Sequence, residues 1–196
     1  MSETILVTGA SAGFGQAICR RLVADGYRVI GSARRIDKLQ ALQEELGEAF
    51  YPLQMDVTDL SQVDHALASL PKAWERVDVL VNNAGLALGL APAYEAEIAD
   101  WLTMIQTNIV GLTYLTRKIL PQMVERNDGY IINLGSTAGT VPYPGANVYG
   151  ASKAFVKQFS LNLRADLAGK KIRVSNIEPG LCEGTEFSSI RFKGDE

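Results

Sequence analysis

The chain has 196 residues, with 19 Lys and Arg against 22 Asp and Glu for a net charge of −3, and 47% hydrophobic residues. That length is expected to form one domain over 1–196, and that charge offers no general field for nucleic acid or anionic lipid. No stretch approaches the ~20 apolar residues of a spanning helix. The N-terminus lacks the basic region of a secretory leader, and Cys19 and Cys182 show neither disulfide nor zinc spacing, so reduced thiols in the cytoplasm are expected.

Short apolar runs rich in Val and Ile alternate with longer amphipathic segments. "TILVTG" predicts the first strand and "FGQAICRRLVADG" the helix after it, closed by Gly26. "YRVIGSA" and "IDKLQALQEEL" repeat the pair with Gly47 as the stop, and "FYPLQMDV" with "LSQVDHALASL" repeats it again. His65, the only histidine, falls in that third helix, where a solvated side chain is expected. The strand "VDVLVNNA" precedes one long helical pattern, "IADWLTMIQTNIVGLTYLTRKILPQMVER", which "NDG" separates from the strand "GYIINLGS". The helix "NVYGASKAFVKQFSLNLRADLAG", stopped by Gly169, and the strand "IRVSNIEP" end the series. Such β-α repetition predicts a parallel sheet with helices on both faces, and ligands then bind beyond the carboxyl ends of the strands.

Five stretches at those strand ends and two sites on helices carry the chemistry. "TGASAGFG" joins the first strand to the first helix: Gly9 permits the tight turn, Gly13 lets backbone approach a phosphate, and Gly15 lets helix pack on sheet. Ala10, Ser11, Ala12 and Phe14 complete this loop, whose free N–H groups suit a pyrophosphate. After the second strand stand Arg34 and Arg35, where an NAD enzyme usually carries a carboxylate; guanidinium groups suit a 2′-phosphate, so NADP is the expected cofactor. A solvated arginine loop is the plainer alternative. Asp56, with Val57 beside it, is placed to accept from an adenine amino group, and Asn83, Ala84 and Gly85 to line the cofactor floor. Tyr149 and Lys153 are four apart and share a helix face, so an ammonium can draw the phenol toward its ionised form. Ser136 ends the fifth strand, where its hydroxyl is expected to bind the substrate oxygen. Asn108, a poor helix former in mid-helix, is expected to hold a water linking Lys153 to solvent.

"TGASAGFG", "NNAG", Asn108, Ser136, "YGASK" and "EPG" stand in an order that resembles the short-chain dehydrogenase/reductase family over the whole chain. The resemblance implies a Rossmann-type doubly wound sheet of strand order 3-2-1-4-5-6. It also implies a catalytic tetrad of Asn108, Ser136, Tyr149 and Lys153, with Pro179 and Gly180 leading into the nicotinamide loop. No metal is needed for hydride transfer with Tyr149 as general acid and base.

Longer stretches, among them "NNAGLALGLAPA" and "EPGLCEGTEFSSIRFKGDE", resemble the NADP-dependent 3-hydroxy acid dehydrogenases, including serine dehydrogenase and malonic semialdehyde reductase. The implied substrates are small 3-hydroxy acids, 3-oxo acids or semialdehydes. Thr185 is expected at the cofactor amide and Arg191 at a substrate carboxylate. Family members continue further, so an absent C-terminal helix and edge strand are expected, together with a homotetramer packed through the helices that carry Asn108 and Tyr149. Two alternatives stay open: a reductase of bulkier ketones such as a 3-oxoacyl thioester or pterin side chain, and a non-catalytic NADP sensor.

Overall fold

The computed structural model describes residues 3–180. Among the described residues, six parallel strands form a single sheet in the order β3-β2-β1-β4-β5-β6, the order that the family resemblance implies. They are β1 (Thr4–Thr8), β2 (Arg28–Ala33), β3 (Phe50–Gln54), β4 (Val79–Asn82), β5 (Gly129–Leu134) and β6 (Ile172–Ile177). The helices between them are α1 (Gly13–Ala24), α2 (Ile36–Leu46), α3 (Leu60–Ala68), α4 (Ile98–Ile105), α5 (Leu112–Arg126) and α6 (Asn147–Asp166). The order reverses between β1 and β4, so the loops after those two strands open a crevice.

Strand alternation divides the core in two. Leu6 on β1 faces Leu115, Ile119 and Met123 of α5 and Leu163 of α6, whereas its neighbours Ile5 and Val7 face Cys19 of α1 and Leu39 and Leu42 of α2. Each fully buried Leu or Ile contributes about 1.5–3 kcal/mol. Burial pushes the Cys19 thiol up to about 12, so it is an inert packing group. Pro52, which cannot donate to a ladder, is accommodated because β3 is the edge strand. Gly26, Gly47 and Gly169 all adopt positive φ where helices stop, and Asn127 does so after α5, which explains "NDG" as a helix end. His65 is exposed on α3.

The long helix departs from the regular pattern. Between α4 and α5, residues Gln106–Gly111 wind as a π-helical turn, which admits an extra residue per turn. Gly111 brings this turn against the loop after β3, where a Cβ would lie 2.7 Å from the Val57 carbonyl oxygen. Pro121 lies inside α5, but on its exposed side, where a missing helical hydrogen bond costs least. Among the described residues, no helix is long and apolar enough to cross a membrane.

Candidate active site

The loop after β1 is shaped for close approach. Gly9 turns with φ +68° and Gly13 with φ +51°, and a Cβ on Gly15 would fall 2.1 Å from the Gly9 carbonyl oxygen. Glycine is therefore demanded at Gly15 by helix-to-loop contact. Thr8 and Asn83 bind this loop to the one after β4: the Thr8 hydroxyl accepts from the N–H groups of Asn83 at 3.0 Å and Ala84 at 2.9 Å, while Asn83 Nδ2 donates to the Thr8 carbonyl at 2.8 Å. Asn83 thus supports the glycine turn from below. The first turn of α1 has no side-chain cap at Ala12, which leaves its N–H groups for an anionic ligand.

Arg35 reaches across from the end of β2 to the same loop, with Nη2 3.2 Å and Nε 3.4 Å from the Ser11 hydroxyl oxygen. Arg34 is exposed beside it, its carbonyl accepting from Gln54 Nε2 at 3.2 Å. The Arg35 guanidinium thus stands at the rim of a glycine cradle whose helix end is uncapped, with exposed Arg34 adjacent in the chain, which fits an adenosine 2′-phosphate. Further along, Asp56 Oδ1 accepts from both the N–H and the hydroxyl of Thr58, at 2.9 and 2.8 Å, and Val57 is buried.

Across the crevice, β5 and α6 position the reactive groups. Tyr149 is buried among Ala87, Met104, Leu86, Leu88, Trp101, Ala138 and Val148. Lys153 lies one turn on, 7% exposed, its ammonium donating to the Leu134 carbonyl at 2.8 Å and 5.9 Å from the centre of the Tyr149 ring. Burial pushes the lysine down to about 8. Its ammonium therefore gives up a proton more readily than a solvated lysine does.

Ser136 caps the turn Thr137–Gly139 by accepting from the Ala138 N–H at 3.1 Å, which occupies one lone pair and leaves its proton to donate. That turn rests on α6: a Cβ on Gly139 would meet the Lys153 carbonyl carbon and the Ala154 nitrogen at 2.7 Å, and one on Gly150 the Ala138 oxygen at 2.9 Å. Thr137 N–H also donates to the Pro179 carbonyl at 3.1 Å, so the segment after β6 begins beside Ser136, with Gly180 exposed beyond it. Thr185 and Arg191 lie outside the described residues.

Asn108 sits in the π turn, 1% exposed. Its Oδ1 accepts from Leu86 N–H and its Nδ2 donates to the Leu86 carbonyl, both at 2.9 Å, while Nδ2 also donates to Ser152 Oγ at 3.0 Å. The amide is thereby engaged as a clamp between the loop after β4 and α6. Ser152, in turn, donates to the Tyr149 carbonyl at 2.7 Å. Gly85 leaves space where these groups converge: a methyl there would lie 3.3 Å from Asn108 Oδ1 and 3.4 Å from Lys153 Nζ. Sequence reasoning missed Ser152, Thr8 and the Leu86 backbone. Only the position of Ser152 beside Lys153 signalled any of them.

The family model for short chain dehydrogenases matches residues 3–195, a range that takes in the glycine cradle at the switch point, the buried Tyr149–Lys153 pair and Ser136 just beyond β5. The chain belongs to that family. Among its relatives, a probable NADP-dependent dehydrogenase of Haemophilus influenzae is 62% identical over 195 residues, covering 100% of this chain and 77% of the relative. An NADP-dependent 3-hydroxy acid dehydrogenase of Salmonella typhi is also 62% identical, over 98% of this chain and 77% of that protein, and a serine 3-dehydrogenase of Agrobacterium fabrum is 52% identical over 100% and 78%. The closed form of a serine dehydrogenase complexed with NADP+ superposes with a TM-score of 0.97 at 59% identity, over 98% of this chain and 77% of that one.

Proposed function

We propose that this chain is an NADP-dependent oxidoreductase of small 3-hydroxy acids and their 3-oxo or semialdehyde partners, of the serine and 3-hydroxypropionate type. The observation that carries the chemistry is Lys153, buried one helical turn from Tyr149 with its ammonium 5.9 Å from the centre of the tyrosine ring. The substrate class rests on the relatives that act on 3-hydroxy acids and serine at 52–62% identity. Arg35 and Ser11, with Arg34, would hold the 2′-phosphate and the loop from Gly9 to Gly15 the pyrophosphate; Asp56 and Val57 would meet the adenine, and Asn83, Ala84 and Gly85 would line the cofactor floor. Pro179, Gly180 and Thr185 hold the nicotinamide end.

When bound, NADP supplies the nicotinamide carbon that exchanges hydride with the substrate carbon. Tyr149 takes the hydroxyl proton in oxidation and returns it in reduction, and the ammonium of Lys153 lowers the energy of the phenolate between the two. Ser136 donates to the substrate oxygen and orients it. Asn108 keeps one Oδ1 lone pair to hold the water that passes protons between Lys153 and solvent, while its clamp on Leu86 and Ser152 ties α6 to the loop after β4. Arg191 meets the substrate carboxylate. The protein works in the cytoplasm as a homotetramer; for subunit contact, the support is the apolar face of α4, where Ile98, Leu102 and Ile105 are 63%, 59% and 36% exposed.

A second reading, reduction of a bulkier ketone, draws support from Leu90 and Val141, 41% and 60% exposed on the segments either side of Tyr149. One experiment addresses both. NADP+-dependent oxidation of L-serine and 3-hydroxypropionate is followed by absorbance of the reduced cofactor, beside Tyr149→Phe. Turnover by the parent and a loss of about 10²–10⁴-fold in the variant are expected. Inert acids with intact NADPH binding transfer the assignment to bulkier carbonyls or to a sensor.

A further inference from the structure

The segment after β4 and the segment before α6 flank Tyr149, and a bridge outside the tetrad joins them. Asn147, two residues before Tyr149, donates from Nδ2 to the Ala91 carbonyl at 3.1 Å, while its Oδ1 accepts from the Val148 N–H at 2.8 Å. It does so with φ +20°, a backbone angle in the sparsely populated positive region where asparagine is several-fold enriched. Gly145 closes the same seam: it has φ +78°, and a Cβ there would lie 2.3 Å from the Leu90 carbonyl oxygen. The Leu86–Ala91 segment is otherwise anchored at its start, by Asn108 to Leu86 and by Met104 sulfur to the Leu88 N–H at 3.4 Å. Its far end is held by Asn147.

We infer that Asn147 is a positioning residue for substrate selection: it sets the separation of the two segments beside Tyr149 and so the size of acid the cleft accepts. The inference rests on the reading of the site proposed above. Asparagine suits the task because its amide donates across the seam and accepts locally at once, whereas a carboxylate in the same place turns an oxygen toward the Ala91 carbonyl and loses the donor.

The test compares the parent chain with Asn147→Asp and Asn147→Gly, the second of which releases the backbone angle and folds without that strain. Steady-state rates are taken with 3-hydroxypropionate and 3-hydroxybutyrate, NADP+ affinity is measured separately, and amide exchange is followed at 86–91. Loss of one neutral hydrogen bond corresponds to a change of roughly 5-fold. Both variants are expected to raise KM for 3-hydroxypropionate by about that factor with kcat within about twofold, to favour the larger acid relative to the parent, and to exchange faster at 86–91. Unchanged KM and exchange overturn the inference, as does a joint fall in kcat and NADP+ affinity, which would mark a general structural role. If the parent oxidises no 3-hydroxy acid, the substrate reading falls, and the exchange comparison alone decides whether Asn147 holds the seam.

Discussion

Replacing Lys153 with methionine is expected to stabilise the folded chain near neutral pH while abolishing turnover. Lys153 is 7% exposed, and among the described residues its ammonium donates to the Leu134 carbonyl in place of the water it loses. Burial accordingly moves its pKa from the usual 10.5 to about 8. At about 1.4 kcal/mol for each pH unit, keeping this lysine charged in the folded state costs about 3 kcal/mol. Between pH 8 and 10.5 the unfolded chain binds the proton that the folded chain has released, so folding stability rises with pH across that window and is lowest below it. Lys153→Met has no such titration. At pH 7 it gains about 3 kcal/mol and loses about 1 kcal/mol for the Leu134 carbonyl left without a donor, a net gain of about 2 kcal/mol. By pH 10.5 the gain has given way to a deficit of up to about 1 kcal/mol, the unpaired Leu134 carbonyl being all that remains. Urea denaturation of both proteins without cofactor, from pH 7 to 10.5, measures the difference directly. A difference that stays constant across that range would refute desolvation as the origin of the lysine's perturbation.

Arg35→Ala removes the guanidinium at Ser11 and is expected to reduce the preference for NADP+ over NAD+ on the order of 10- to 100-fold, read as the ratio of the two dissociation constants. Gly15→Ala drives a methyl toward the Gly9 carbonyl, so a loss of about 1–3 kcal/mol in urea denaturation and weaker NADP+ binding are expected together. Asn108→Ala strips three hydrogen bonds from a site with 1% exposure and leaves the Leu86 N–H without its acceptor. A destabilisation of about 1–3 kcal/mol and a fall in kcat exceeding any change in NADP+ affinity are expected.

The β-α order, the helix stops at Gly26, Gly47 and Gly169 and the glycine loop after β1 were legible because they depend on local rules: side-chain periodicity, positive φ and the bare first turn of a helix. Tyr149 and Lys153 were legible as a pair for the same reason, since a four-residue spacing puts both on one helix face. The break in the long helix was not. "MIQTNIVGL" carries a helical pattern throughout, and its π turn depends on buried partners at Leu86 and Ser152, 22 and 44 residues from Asn108. The awkward asparagine was its only trace.

By itself, then, the sequence determined the parallel architecture, the position of each loop at a strand end and the set of side chains available there. Tertiary structure alone decided how those side chains behave. The depressed pKa of Lys153 arises from burial by other elements, the reach of Arg35 to Ser11 spans 24 residues, and the seam from Asn147 to Ala91 spans 56. Desolvation and hydrogen bonding act over a few ångströms of space, whatever the separation along the chain, so they exist only once strands and helices have brought distant residues together.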